Sequence, residues 1–290
     1  MRRVALIVNP SSGGGKAAKV LPAVEDALRA VGVTFHTERT RSIDHVRELA
    51  LAAHEAGEVA VTLSGDGCVG AVAGALSGID GATMGVLPGG RGNDFARVAG
   101  IPLDAVEATA VIAMGTPRPV DLGEVDGKPF VGIASLGFDS VANELANEAP
   151  SQLGNLVYAY AALRAVATWK HAQFTVTVDG AVHEIRGWSV AVANSGAYGG
   201  GMRLAPDAKL DDGLLDVVLS EASSKAHFLA SLPKVFKGTH VEDPRIHVLQ
   251  GREITIAADR AFDVYADGDP IGALPATVRV RPHAVQVLLP

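Results

Sequence analysis

The chain has 290 residues, 48% hydrophobic and 20% charged, with 25 Lys plus Arg against 32 Asp plus Glu and a net charge of −7. That apolar share excludes a disordered chain, the acidic balance argues against nucleic acid as a partner, and the length suggests two domains. The single cysteine, Cys68, excludes an intrachain disulfide and a zinc site of the Cys₂His₂ or Cys₄ kind. No window approaches the ~20 apolar residues of a bilayer span, because Asp66, Asp80 and Arg164 break the longest candidates. The opening run to Val8 is too short for a signal peptide, and Asn9-Pro10 interrupts it. A cytoplasmic protein is expected.

Val4–Val8 reads as a buried strand, followed by a Gly/Ser loop and a helix from Lys16 to Ala30. Val33–Thr37 is a second strand. Ser42 is placed to N-cap a helix that ends at Gly57, a favoured residue just past a helix end. Glu58–Leu63, a small-residue helix over Cys68–Leu76, the strand Met84–Leu87 and a helix over Asp104–Met114 complete the alternation. Strands separated by helices imply right-handed crossovers and a parallel, doubly wound α/β sheet. The second half reads as antiparallel. Phe174, Val176 and Val178 alternate with polar residues up to Asp179-Gly180, a type I′ hairpin signal. Further strands are expected at Trp188–Ala193, Leu214–Leu219, Arg245–Leu249, Ile254–Ala257, Phe262–Tyr265, Thr277–Val280 and Val285–Leu289. Helices are expected over Asn155–Thr168 and Lys225–Phe236. The division is therefore residues 1–121 as an α/β nucleotide domain and 122–290 as a β-sandwich domain, with the last strand free to return to the first.

Three strand–loop–helix junctions are rich in glycine, and such loops aim backbone N–H groups at anions. Asn9-Pro10-Ser11-Ser12-Gly13-Gly14-Gly15-Lys16 lacks Walker A spacing, since Pro10 stands where a Gly belongs and Ala17 where a Ser/Thr belongs. Ser64-Gly65-Asp66-Gly67-Cys68-Val69-Gly70 fits the dinucleotide fingerprint in its glycines, but no ribose-binding acid follows ~20 residues on. Asp66 is the informative residue. A carboxylate beside a bare pyrophosphate costs ~4 kcal/mol at ~4 Å and an effective dielectric of ~20. A Mg²⁺ between the two reverses the sign, so a Mg–nucleoside triphosphate fits better than a dinucleotide. Asp66 as a mere turn residue or cap is the plainer alternative.

With the third loop, Pro88-Gly89-Gly90-Arg91-Gly92-Asn93-Asp94, the chain resembles the diacylglycerol kinase catalytic-domain family of bacterial lipid kinases. The family's three motifs correspond to residues 9–13, 64–68 and 88–94, and the likeness continues through Gly199–Met202, Ala205–Asp216 and Asp267-Gly268-Asp269. It implies an α/β nucleotide domain plus a β-sandwich, and transfer of the ATP γ-phosphoryl group to a lipid hydroxyl. ATP contacts are implied for Asn9, Pro10, Ser11, Ser12, Gly13, Thr40, Gly65, Asp66, Gly67, Cys68 and Arg91. Asp66, Asp94 and Asp121 correspond to an acidic network holding a catalytic Mg²⁺ through water, and Asp269 to the carboxylate that takes the hydroxyl proton. Lys209, Asp212 and Leu214 correspond to a structural Mg²⁺ site.

The sequence departs from the family at Ser64, Cys68, Gly70, Arg91 and at Asp269, one methylene shorter than the usual Glu. Other readings stay open: a kinase for another alcohol such as NAD, or a nucleotide- or lipid-binding member without catalysis. A lipid substrate implies transient visits to the inner face of the membrane, and a homodimer is compatible. The segment Ser224–Lys237, apolar with three lysines, suits an anionic surface through Phe228 and Phe236, or else a core-facing helix with solvated lysines.

Overall fold

The computed structural model describes residues 2–148 and 164–290. The first half contains β1 (Arg3–Val8), α1 (Ser12–Ala30), β2 (Thr34–Arg39), α2 (Ile43–Glu55), β3 (Val59–Ser64), α3 (Asp66–Leu76), β4 (Thr83–Pro88), α4 (Asp94–Val98) and α5 (Thr109–Met114). The four strands pair in parallel in the order β4-β3-β1-β2. β1, β3 and β4 are buried along nearly their whole length, as strands covered by helices on both faces must be. In α1, Gly13, Gly14 and Gly15 all hold positive φ (61°, 69° and 90°), so the regular helix starts at Lys16, as expected. It then buries Ala17, Leu21, Val24 and Leu28 at helical spacing. Ser42 Oγ accepts the His45 N–H at 3.1 Å, which caps α2. The helix expected over Asp104–Met114 is shorter. Asp104 Oδ1 accepts the N–H groups of Val106 and Glu107 in a local turn, and regular α-helix covers only Thr109–Met114.

The second half contains β5 (Thr116–Val125), β6 (Lys128–Phe130), β7 (Ile133–Gly137), α6 (Phe138–Glu148), β8 (Ala172–Val178), β9 (Ala181–Ala193), β10 (Leu215–Glu221) and α7 (Lys225–Lys237). β11 (Ile246–Gly251), β12 (Glu253–Ala258), β13 (Asp263–Ala266), β14 (Asp269–Ala273) and β15 (Ala276–Leu289) follow. The β8–β9 hairpin turns at Asp179 (φ 48°) and Gly180 (φ 89°), the two positive values a type I′ turn requires. α6 and the strands β5 to β7 were not expected. Of the helix expected over Asn155–Thr168, residues 164–168 are helical and the rest lies outside the described residues.

All strands join one 15-stranded sheet, whose main path runs β14-β13-β7-β9-β8-β12-β15-β4-β3-β1-β2. β15 is the link between the halves. It pairs antiparallel with β12 and β5, and parallel with β4 through Gln286 to Thr83 and Val287 to Met84. Two cores result. Val120 and Leu122 of β5 pack in the first, and Val125 packs in the second, around Trp188, Phe174 and Phe130.

α3 also ties the halves, because Gly74 lets the helix lie on the Pro129 ring of β6. A Cβ at Gly74 would sit 2.4 Å from Pro129 Cγ. The variant Gly74→Ala should therefore lose about 1–3 kcal/mol of stability. A lowered urea midpoint checks this, and an unchanged one would mean that α3 and β6 separate freely.

Candidate active site

The loops after β1, β3 and β4 lie side by side at the carboxyl ends of neighbouring parallel strands, where open α/β sheets bind ligands. Their backbones touch. A Cβ at Gly90 would come 2.5 Å from Gly65 Cα, and one at Gly13 would come 2.6 Å from the Gly89 carbonyl oxygen. Glycine at these positions is thus a packing requirement of three interlocked loops. Asn93, at φ 52°, closes the third loop: its Oδ1 accepts the Gly90 N–H at 2.8 Å and its Nδ2 donates to Gly90 O at 3.2 Å.

Asn9 closes the first loop. Its Oδ1 accepts from Ser11 N–H at 3.1 Å and Ser11 Oγ at 2.8 Å, and its Nδ2 donates to Cys68 Sγ at 3.5 Å. Cys68 is buried and free, a packed residue joining the first and second loops. The Thr40 N–H donates to Val8 O at 2.9 Å, which sets Thr40 beside Asn9 and Pro10. Ser12 Oγ lies 3.5 Å from the place a Cβ at Gly65 would take. Arg91 is exposed, with Nη2 3.8 Å from the corresponding place at Gly14, so its guanidinium hangs over the first loop.

Acidic side chains converge on the start of α3. Asp66 Oδ1 accepts the Phe95 N–H at 3.0 Å. Asp94 is buried, and its Oδ2 accepts the Gly200 N–H at 2.8 Å. Both carboxylates flank Gly92: a Cβ there would lie 2.9 Å from Asp94 Oδ2 and 3.2 Å from Asp66 Oδ2. Burial, and after it the negative Asp66, raises the Asp94 pKa against the lowering pull of the Gly200 amide. Asp94 Oδ1 has no hydrogen-bond partner, and the Arg97 guanidinium stands off at 3.8 Å.

The β13–β14 hairpin brings two more carboxylates from the second half. Asp269, exposed at its tip, places Oδ2 3.3 Å from where a Cβ at Gly67 would be. Asp267, at φ 53°, accepts the N–H groups of Val131 and Gly132, each at 2.9 Å, and its Oδ2 lies 3.0 Å from the Cβ place at Gly70. Burial, reinforced by the charges of Asp66 and Asp269, pushes the Asp267 pKa up to about 7 despite those two amides.

Asp121 is fully buried, and backbone amides hold its carboxylate. Its Oδ2 accepts the Gly213 N–H at 2.7 Å, its Oδ1 the His283 N–H at 2.6 Å, and its own N–H donates to Leu210 O. Backbone amides occupy both oxygens, so Asp121 braces the turn that carries Lys209, Asp212 and Leu214. In that turn Asp212 Oδ1 accepts the Leu214 N–H at 3.0 Å, while Lys209 is exposed. Burial raises the nearby Asp216 pKa, and the charges of Asp212 and Asp207 add to it.

Among the described residues, no three His, Cys, Asp or Glu side chains come together closely enough to ligate an ion directly. The Asp66–Asp94 pair fits a cation held through water, because it leaves one buried carboxylate oxygen with no donor beside a like charge. Sequence reasoning missed the Gly200 amide and the role of Asp267, although both lie in segments whose motifs it matched. The resemblance drew attention to the last carboxylate of Asp267-Gly268-Asp269 and away from the first.

Known proteins share this architecture. Residues 3–125 match the family described as "Diacylglycerol kinase catalytic domain", and residues 132–289 match "YegS C-terminal NAD kinase beta sandwich-like domain". A Mycobacterium tuberculosis protein named diacylglycerol kinase is 32% identical over 99% of this chain and 95% of its own. A Bacillus subtilis protein of the same name is 28% identical over 100% of this chain and 97% of its own. A Bacillus anthracis crystal structure, provisionally assigned as a diacylglycerol kinase, superposes with TM-score 0.84 at 25% identity, covering 100% of this chain and 95% of that one. Fold and site thus define a two-domain lipid kinase. The chain belongs to the diacylglycerol kinase family.

Asp267 yields a pH prediction. Its raised folded-state pKa means that the folded protein holds this proton more tightly than the unfolded chain, so stability falls as pH rises from the ordinary carboxylate range to about 7. Asp267→Asn gives up one amide bond at every pH but abolishes that titration. Its unfolding free energy should therefore decline less than the wild type's over that interval, as measured by urea titrations at a series of pH values. An identical decline would remove Asp267 as its source.

Proposed function

We propose that this chain transfers the γ-phosphoryl group of ATP to the hydroxyl of diacylglycerol, with Mg²⁺ as the accompanying cation. The observation that carries the reading is the meeting of Asp66, Asp94 and Asp269 at the rim of three glycine loops. Phosphoryl transfer asks mainly for positioning and charge neutralisation, with little covalent work from the protein. The positive φ of Gly13, Gly14 and Gly15 and the start of α3 suit backbone N–H groups turned toward a polyphosphate. Arg91 can add positive charge over the first loop. When bound, Mg²⁺ neutralises charge on the polyphosphate; Asp66 and Asp94 would hold it through water.

Asp269 serves as the general base. It is exposed at a hairpin tip, reachable by a hydroxyl entering the crevice, and it faces the glycine loop across Gly67. Gly67 has no side chain to hold the hairpin away, so the Asp269 carboxylate reaches the glycine loop. Asp267 ties the same hairpin to Val131 and Gly132, fixing the direction from which Asp269 approaches. A structural Mg²⁺ at Asp212 would offset the acidic surroundings of Asp216, steadying the turn that Asp121 braces.

The test uses γ-labelled ATP, Mg²⁺ and mixed micelles containing diacylglycerol, with chloroform extraction of the product. Label in the organic phase is the expected outcome, and label in NADP when NAD is offered instead would overturn the lipid assignment. ATP binding without transfer would leave a non-catalytic family member. Asp269→Asn should cut turnover by about 10²-fold or more while leaving ATP affinity intact. Turnover like the wild type's would remove Asp269 from the mechanism.

A further inference from the structure

Helix α7 is apolar on two faces, and the fold uses only one of them. On the inner face, Phe228 stacks on Trp188 with ring centroids 3.9 Å apart and meets Phe138 edge-on at 4.7 Å. Ser231, Leu232 and Val235 share that side and are half-buried. At ~100° per residue the opposite arc holds Ala226, Leu229, Ala230, Pro233 and Phe236. Every one of these is exposed, Leu229 at 37% and Phe236 at 56%. Lys225 borders the arc on one edge, its Nζ donating to Ala167 O at 2.6 Å, Lys234 borders the other, Lys237 closes the last turn, and the helix contains no acidic residue. A helix that only covers a core keeps its outer face polar.

We propose that this outer face of α7 docks on an anionic phospholipid bilayer, the apolar stripe entering the acyl boundary and the lysines meeting lipid phosphates. Charge selects the occupant. On a chain of net charge −7, an acid-free helix with three lysines is an exception that an anionic surface rewards. Phe228, which the sequence suggested as a contact beside Phe236, is taken up by the core and contributes nothing outside.

The helix is wired to the carboxylate site. Arg203 N–H donates to Val235 O at 2.9 Å, and three residues earlier the Gly200 N–H holds Asp94. Docking α7 would therefore draw the Gly200 loop, and Asp94 with it, toward the membrane. This purpose rests on the lipid-kinase reading above, although the surface can be tested without it.

The test floats the full chain with vesicles of phosphatidylcholine alone and of phosphatidylcholine with phosphatidylglycerol. Two double variants are compared, Leu229→Ser with Phe236→Ser and Lys234→Glu with Lys237→Glu. All four positions are exposed, so thermal unfolding of the variants should match the wild type. The wild type is expected to float with the anionic vesicles, and each variant to lose that binding by about tenfold or more. Both variants should keep wild-type turnover of a short-chain, monomeric diacylglycerol while losing turnover of the same lipid in vesicles. Wild-type flotation by the variants overturns the proposal, as does equal binding of the wild type to neutral vesicles. Flotation lost in the variants, with no kinase activity toward any lipid, would support the docking face and count against the functional reading alone.

Discussion

Mutual repulsion among four carboxylates is the constraint around which this molecule is arranged. Asp66, Asp94, Asp267 and Asp269 come from both halves of the chain and surround the first turn of one helix. The fold offsets part of this repulsion with backbone amides: Phe95 for Asp66, Gly200 for Asp94, Val131 and Gly132 for Asp267. Burial, with the neighbouring carboxylates adding to it, still raises the pKa values of Asp94 and Asp267. The neighbouring loops are bare because their backbones interlock around this charge.

The glycine loops were legible because their reasons are local. Positive φ at Gly13 to Gly15 and at the Asp179-Gly180 turn, and the cap at Ser42, all depend on a few adjacent residues. Long-range facts left weaker marks. Nothing in the neighbours of Asp121 announces that its two carboxylate oxygens accept amides from Gly213 and His283, 92 and 162 residues away. The helix at Phe138–Glu148 follows a strand with no loop between them, and only Gly137, at φ 88°, marks its start. Asp104 kept the look of a helix start while spending its carboxylate on a turn.

The division into halves is real in the cores and absent in the sheet. One strand serves both, and the hairpin bearing Asp269 reaches across to Gly67 because the two sheets are continuous. The paired strands β5 and β15 run together from the second core into the first, with a register shift between Arg281 and Val285 where they pass from one to the other.

That shared strand also orders events in time. The inner edge of β4 and the partner of β5 are both supplied by residues 276–289. While a ribosome is still reading the message, the nascent first half carries an open edge and cannot finish closing. A chaperone that shields β4 until residues 276–289 emerge would have a defined piece of backbone to guard.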